Sequence, residues 1–208
     1  AALAEGAAPR AVFDLLPGID VPQLLAEAVS ATRASGRGVI ICVPDASDLH
    51  ELDARFTEIL GPDQHVVLSS AQKPADRYRA FLRVAREEVS VVVGTRAAAW
   101  APVANLGLVV MLDDGNDLHA EQRAPYPHAR EVLLTRSLEE NTAVLLPSFA
   151  RSVEAESLVV QGWCQAISAD LVTRRRSWPQ VEVTDGSERG SAPVRLPQAV
   201  FKAIREAD

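Results

Sequence analysis

Cysteine is scarce in this chain. Cys42 and Cys164 lie far apart, one inside an apolar run and one beside Trp163, and neither has the paired spacing of a zinc ligand set. That argues against a disulfide-stapled scaffold and for two buried free thiols. The amino terminus, AALAEGAAPR, lacks the basic start and apolar stretch of a secretory signal, and no apolar run is long enough to span a bilayer. A cytoplasmic chain is expected. Positive charge is also short: 208 residues carry a formal net charge of −7, the wrong sign for a domain that grips nucleic acid by broad phosphate neutralisation. Any DNA contact must be local. Enzyme signatures are missing as well. There is no G-x-S-x-G elbow, no H-E-x-x-H among His50, His65, His119 and His128, and no glycine fingerprint for a dinucleotide.

What remains is a soluble composition, 48% hydrophobic and 24% charged, arranged as short apolar runs alternating with amphipathic ones. Strand-like runs fall at Arg10 to Leu16, Gly38 to Pro44, His65 to Ser69, Val89 to Val93, Leu106 to Leu112 and Thr142 to Leu146. Helical patterns fall at Gln23 to Ser35, from Ser47 or Asp48 to Leu60, after Pro74, from His128 to Leu138, and from Ala150 to Gln161; a short strand, QAISAD, can follow. After Pro74, Tyr78, Phe81, Leu82 and Ala85 form an apolar face, with Arg79, Arg83 and Arg86 opposite. Val- and Leu-rich runs with helical crossovers predict an α/β fold: a doubly wound, mainly parallel sheet with helices on both faces and its ligand site at the carboxyl ends of the strands. Residues 1–172 are expected to form this domain. Residues 173–196, with Arg174 to Arg176, Trp178-Pro179 and TDGSERGSAP, read as a linker, and 197–208 as the opening helix of a following domain. The first residue is not Met and the chain stops inside an amphipathic segment, so a fragment is expected.

Candidate chemistry sits at the strand ends. The first turn, LLPGIDVPQLL, occupies the place of a phosphate loop but has one glycine, Gly18, no lysine, and the acidic Asp20 where phosphate would approach. Asp113 and Asp114 end a buried strand where a motor ATPase keeps an Asp for magnesium and a Glu for the attacking water. Gly94-Thr95-Arg96 can hold a phosphodiester oxygen or merely end a strand, and His128 and Arg130 in PYPHAREV can face DNA or merely start a helix. The Arg79, Arg83, Arg86 side fits a solvated face, and Arg174 to Arg176 fit a DNA contact or a helix end equally.

Taken in order, GTRAAAWAPVANLGLVVMLDD (Gly94 to Asp114), PYPHAREV and the upstream ICVPDASDL resemble the first, RecA-like motor lobe of the PriA family of superfamily-2 DNA helicases, from Arg10 to Gly162. The resemblance implies a P-loop NTPase-like fold and a part in replication restart, with DNA, forked or single-stranded, primosome and single-strand-binding proteins, and the remaining domains of its own polypeptide as partners. It implies a nucleoid-associated location, and zinc-binding cysteines only in a later segment of the full-length protein. The departures are consistent. Where the family has G-x-T-G-S-G-K-T this chain has LLPGIDVPQ. Where it has D-E-E-H the chain has Asp113-Asp114-Gly115-Asn116, and where it has G-S-A-T-P the chain has Leu146-Pro147-Ser148-Phe149-Ala150. Actinobacterial members look degenerate in the same way. The loop that senses single-stranded DNA in the family keeps one aromatic ring here, Tyr126. The expectation is a non-hydrolysing module with no bound cofactor, in which Gly18, Asp113 and Asp114 mark a vestigial Mg-ATP site and Thr95, Arg96, His128 and Arg130 face DNA. The alternatives are an active helicase with a non-standard nucleotide site, and a protein-interaction domain that does not touch DNA.

Overall fold

The computed structural model describes residues 1–179, 181 and 198–206. Seven strands form one sheet: β1 (Arg10–Asp14), β2 (Gly38–Cys42), β3 (Val66–Leu68), β4 (Val91–Gly94), β5 (Leu106–Met111), β6 (Ala143–Ser148) and β7 (Gln165–Ile167). Their order is β3-β4-β2-β5-β6-β1-β7, and every pairing is parallel. The central strands β2, β4 and β5 are buried along their whole length, which is why their sequences read as unbroken apolar runs and not as alternating ones.

The crossovers cover both faces. Helices α1 (Val21–Ala34) and α2 (Ala46–Leu60) bury Leu25, Val29, Leu52 and Phe56 against Val39, Ile41, Val91 and Val110 on one side. On the other, α3 (Pro74–Ala85), a 3-10 turn at Arg96–Trp100, α4 (Ala129–Glu140) and α5 (Val153–Val160) lie over Ile40, Val92, Val109 and Val144. Each fully buried Leu, Val or Phe stabilises the fold by roughly 1.5–3 kcal/mol, so the two layers carry most of its stability. Cys42 and Cys164 are free and buried, and burial pushes their thiols up to about 12 and about 11, so both are inert packing groups.

Three details differ from the sequence expectation. Helix α2 is capped by Asp45, whose carboxylate accepts from the amides of Ser47 and Asp48 at 2.7 and 3.0 Å. Helix α3 is turned over: Val84 is its buried residue, whereas Tyr78 and Phe81 stay 62% and 40% exposed. A short helix, α6 (Leu171–Ser177), holds Arg174 to Arg176, and the chain separates into the units Ala1–Ser177 and Trp178–Asp208. In the second unit α7 (Gln198–Glu206) is an amphipathic helix with Val200, Phe201 and Ile204 on one face. Most of the expected linker, residues 180 and 182–196, lies outside the described residues.

Candidate functional site

The chain leaves β1 and β6 in opposite directions, toward β2 and β7, and leaves β2 and β5 in opposite directions too, toward β3 and β6. Crevices open at such switch points. Here a cavity of about 820 Å³ lies at the carboxyl ends of these four strands, floored by Leu15, Ile19, Leu25, Val43, Leu52 and Leu112 and edged by Asp20, Asp48, Glu51, Arg55, Asp113 and Ser148.

Its electrostatics are set by four carboxylates. Asp20 ends the turn after β1 and caps α1, its Oδ1 accepting from the Gln23 amide at 3.0 Å, while its Oδ2 takes a hydrogen bond from Arg55 at 3.1 Å. Helix amino-terminal amides are where a phosphate is cradled in this architecture. An internal carboxylate holds that position here, and Pro22 removes a further amide from the first turn. Arg55 is committed to Asp20 and Glu58. Among the described residues Asp48, Glu51 and Asp113 have no cationic partner within ion-pair distance. The Asp48 carboxyl titrates above its ordinary range, first through partial burial and then through the charges of Asp45, Glu51 and Asp113. A triphosphate would meet that same field. Among the described residues no group of three or more His, Cys, Asp or Glu is arranged to hold a metal ion.

The turn itself is fastened from the far end of the lobe. Asp14, the last residue of β1, receives both the Nε and Nη2 of Arg151 at 3.1 and 2.7 Å and the hydroxyl of Ser168. Partial burial works against ionisation of Asp14, but the hydrogen bonds from Ser168 and Arg151 outweigh it and hold its pKa below the ordinary value. Neither partner is legible in sequence, because Arg151 is 137 residues away and bears no motif.

Of the expected site residues, Gly18 sits in the first turn at φ 85 and Asp113 edges the cavity. Asp113 adopts φ 51, a left-handed turn that sends successive side chains in different directions. Its carboxylate accepts from Asn116 at 3.2 Å and Ser148 at 3.3 Å, while that of Asp114 goes into the interior. Asp114 is 1% exposed and is held by Arg130 at 3.2 Å and by the Ser152 hydroxyl, the cap of α5, at 2.6 Å. Asp114 therefore does not line the cavity, and Arg130, expected at the surface, is 6% exposed, also paired with Glu131 and Glu154, and sets its charge against that buried carboxylate.

His128 caps α4: its Nδ1 accepts from the Arg130 amide at 3.1 Å. Its ring lies 6.1 Å from that of fully buried His119, whose Nε2 donates to the Leu112 carbonyl at 2.9 Å. Burial lowers the pKa of both rings below the usual 6.5, and Arg130 and His119 lower His128 further. A histidine depressed in the folded state contributes stability above its unfolded pKa that is lost as pH falls through the folded one. Urea midpoints should therefore drop between pH 7.5 and pH 5.5, and replacing His128 by Asn, which can still cap, should flatten that drop. Thr95 and Arg96 leave β4 at the same end of the sheet. Arg96 is half-exposed, 3.3 Å from Glu121, with a long contact to the Leu118 carbonyl.

No protein-family model matches the chain. The probable replication restart protein PriA of Mycobacterium tuberculosis is 38% identical over 213 aligned residues, which take in all of this chain and 32% of that protein. The chain belongs to the PriA family of replication restart proteins. The PriA protein of Bacillus subtilis is 26% identical over 166 residues, 80% of the chain and 20% of that protein. The chain thus spans about a third of the length of its mycobacterial PriA relatives. Among solved structures, the Pyrococcus furiosus Hef helicase domain superposes with TM-score 0.58 at 12% identity, over 86% of this chain and 39% of that one. The C-terminal domain of S. cerevisiae Dbp5 does so with TM-score 0.52 at 14% identity, over 77% and 88%. The chain therefore has the RecA-like fold of helicase domains, as the alternation of runs and the resemblance led one to expect.

Proposed function

We propose that this segment is a helicase-like module of a replication restart protein that has exchanged nucleotide hydrolysis for a structural part in recognising stalled or repaired forks and assembling the primosome. The observation that carries the reading is Asp20: its carboxylate caps α1 at the amides a phosphate would need, with Arg55 held against it. The unneutralised Asp48, Glu51 and Asp113 around the same cavity point the same way. Loss of a phosphate-binding lysine and of a water-orienting glutamate each removes positioned electrostatic stabilisation worth orders of magnitude in rate. An active helicase with a non-standard nucleotide site would have to overcome this field.

DNA contact is assigned to Thr95 and Arg96. An exposed pair such as Arg96–Glu121 is worth only about 0–1 kcal/mol, so its guanidinium is cheaply released to a phosphate. Partner domains of the same polypeptide, primosome proteins and single-strand-binding proteins complete the assembly, in the cytoplasm and at the nucleoid. Zinc belongs to a later segment.

Calorimetric titration of the 208-residue chain with Mg-ATP, beside a DNA-stimulated phosphate-release assay, is expected to give neither binding heat nor turnover. Saturable binding abolished by Asp113→Ala would overturn the reading and restore the motor. Arg96→Ala should weaken fork-DNA binding about equally across sequences and lower the slope of log K against log salt by about 1. Unchanged affinity and slope would remove Arg96 from the interface. Absence of DNA binding even at low salt would favour a protein-interaction domain instead.

A further inference from the structure

Helix α3 begins beside the Thr95–Arg96 corner, because β3 and β4 are paired in register, Leu68 with Gly94, and Lys73 follows five residues after Leu68. Its outward face is unusual for this chain. Tyr78 and Phe81, one helical turn apart, are 62% and 40% exposed. Around them the segment Lys73 to Arg86 carries Lys73, Arg77, Arg79, Arg83 and Arg86 against a single acid, Asp76, in a chain whose overall charge is −7. Arg79 is paired with Asp76, and Arg83 with Asp63 and Glu88. Lys73, Arg77 and Arg86 have no ion pair among the described residues.

We infer that the outer face of α3 is a platform for single-stranded polynucleotide, with bases stacking on Tyr78 and Phe81 and phosphates running along Lys73, Arg77 and Arg86. A second, uncharged protein surface would match the two rings but would leave the cations desolvated without partners, whereas an unpaired nucleic-acid strand supplies π-faces and phosphates together at a repeat the helix can follow. A duplex keeps its bases stacked inside, so it can use the arginines but not the rings. The inference extends the DNA reading proposed above to a surface separate from Arg96.

The test is binding of oligo-dT and oligo-rU to the 208-residue chain by fluorescence anisotropy, with 5-iodouracil photocrosslinking and peptide mapping. Tyr78→Ala with Phe81→Ala should weaken single-strand binding about tenfold or more and leave the salt slope unchanged, and Tyr78→Ala alone, at the more exposed ring, should weaken it with the melting temperature within error. Arg77→Gln with Arg86→Gln should lower the salt slope, and the crosslink should fall on the peptide holding Tyr78. Equal affinity for both oligomers would make the contact general to single strands, and preference for oligo-dT would restrict it to DNA. Single-strand binding that survives the ring substitutions and crosslinks elsewhere overturns the platform while the Arg96 surface stands. No single-strand binding at low salt, with fork binding still lost in Arg96→Ala, overturns it equally. No binding to any nucleic acid overturns both.

Discussion

Replacing Arg130 by Ala should cost the lobe about 3–5 kcal/mol, because it leaves the carboxylate of Asp114 buried without its counter-charge. At 1% exposure Asp114 has no access to water, and the Ser152 hydroxyl at 2.6 Å is a neutral donor that cannot replace a guanidinium. The same substitution releases Glu154 of α5 and removes the hydrogen bond to the Asp114 carbonyl at 3.2 Å, so α4, α5 and the end of β5 lose their common tie. For a domain of this size each kcal/mol moves the melting temperature by about 2–4 °C, so a fall of roughly 6–20 °C is expected in thermal and urea unfolding. The companion variant sharpens the result. Arg130→Met with Asp114→Leu removes both charges and should recover most of the loss, since a buried pair gains little over well-packed apolar side chains. Wild-type stability in Arg130→Ala would mean that water reaches Asp114.

A loss of similar size is expected from Gly94→Ala. A Cβ built on Gly94 would lie 2.0 Å from the Leu68 carbonyl oxygen and 2.8 Å from Ala98 Cβ, and the first of these is main chain in the neighbouring strand. Strand β3 would have to move off β4, with Gly94 also accepting the Val43 amide at 2.9 Å on its other side. Such overpacking costs about 1–3 kcal/mol where side chains can yield, and more where the backbone must. Gly18 provides the control. It has φ 85 but nothing within 4 Å of an added Cβ, so Gly18→Ala carries only the conformational penalty of about 1 kcal/mol. If the two variants unfold alike, the close approach of β3 to β4 is not the constraint it appears geometrically to be.

These two residues mark how far sequence reasoning reaches. Strands buried on both faces, such as Val91–Gly94 and Leu106–Met111, announce themselves by composition alone, and the crossover helices between them follow from periodicity. The acid in the first turn was legible too, and Asp20 does cap the helix that follows it. What composition cannot convey is direction. Arg130 reads as a surface charge until Asp114, 16 residues earlier, is seen to turn inward behind the left-handed Asp113. The apolar stripe of α3 reads as a core face, yet Ala80 and Val84 suffice to seat the helix on the short edge strand β3, and the larger rings are left outside. The Asp14–Arg151 pair joins residues with no local signature at all.

The position of β1 has a consequence for how the chain comes to be folded. It is made early, yet its neighbours are β6 and β7, from the other end of the lobe, with Arg10 opposite Val144 and Ala11 opposite Gln165. Strands β2, β4 and β5 can assemble with α2 and the 3-10 turn as each emerges from the ribosome, but β1 has to wait, tethered through α1, for nearly the whole lobe to be synthesised. Pairings over such separations close slowly. The lobe's first strand is thus among the last to find its place, and it closes the sheet by entering as an interior strand, so the same stretch that leads into the Asp20 turn also decides when the lobe is complete.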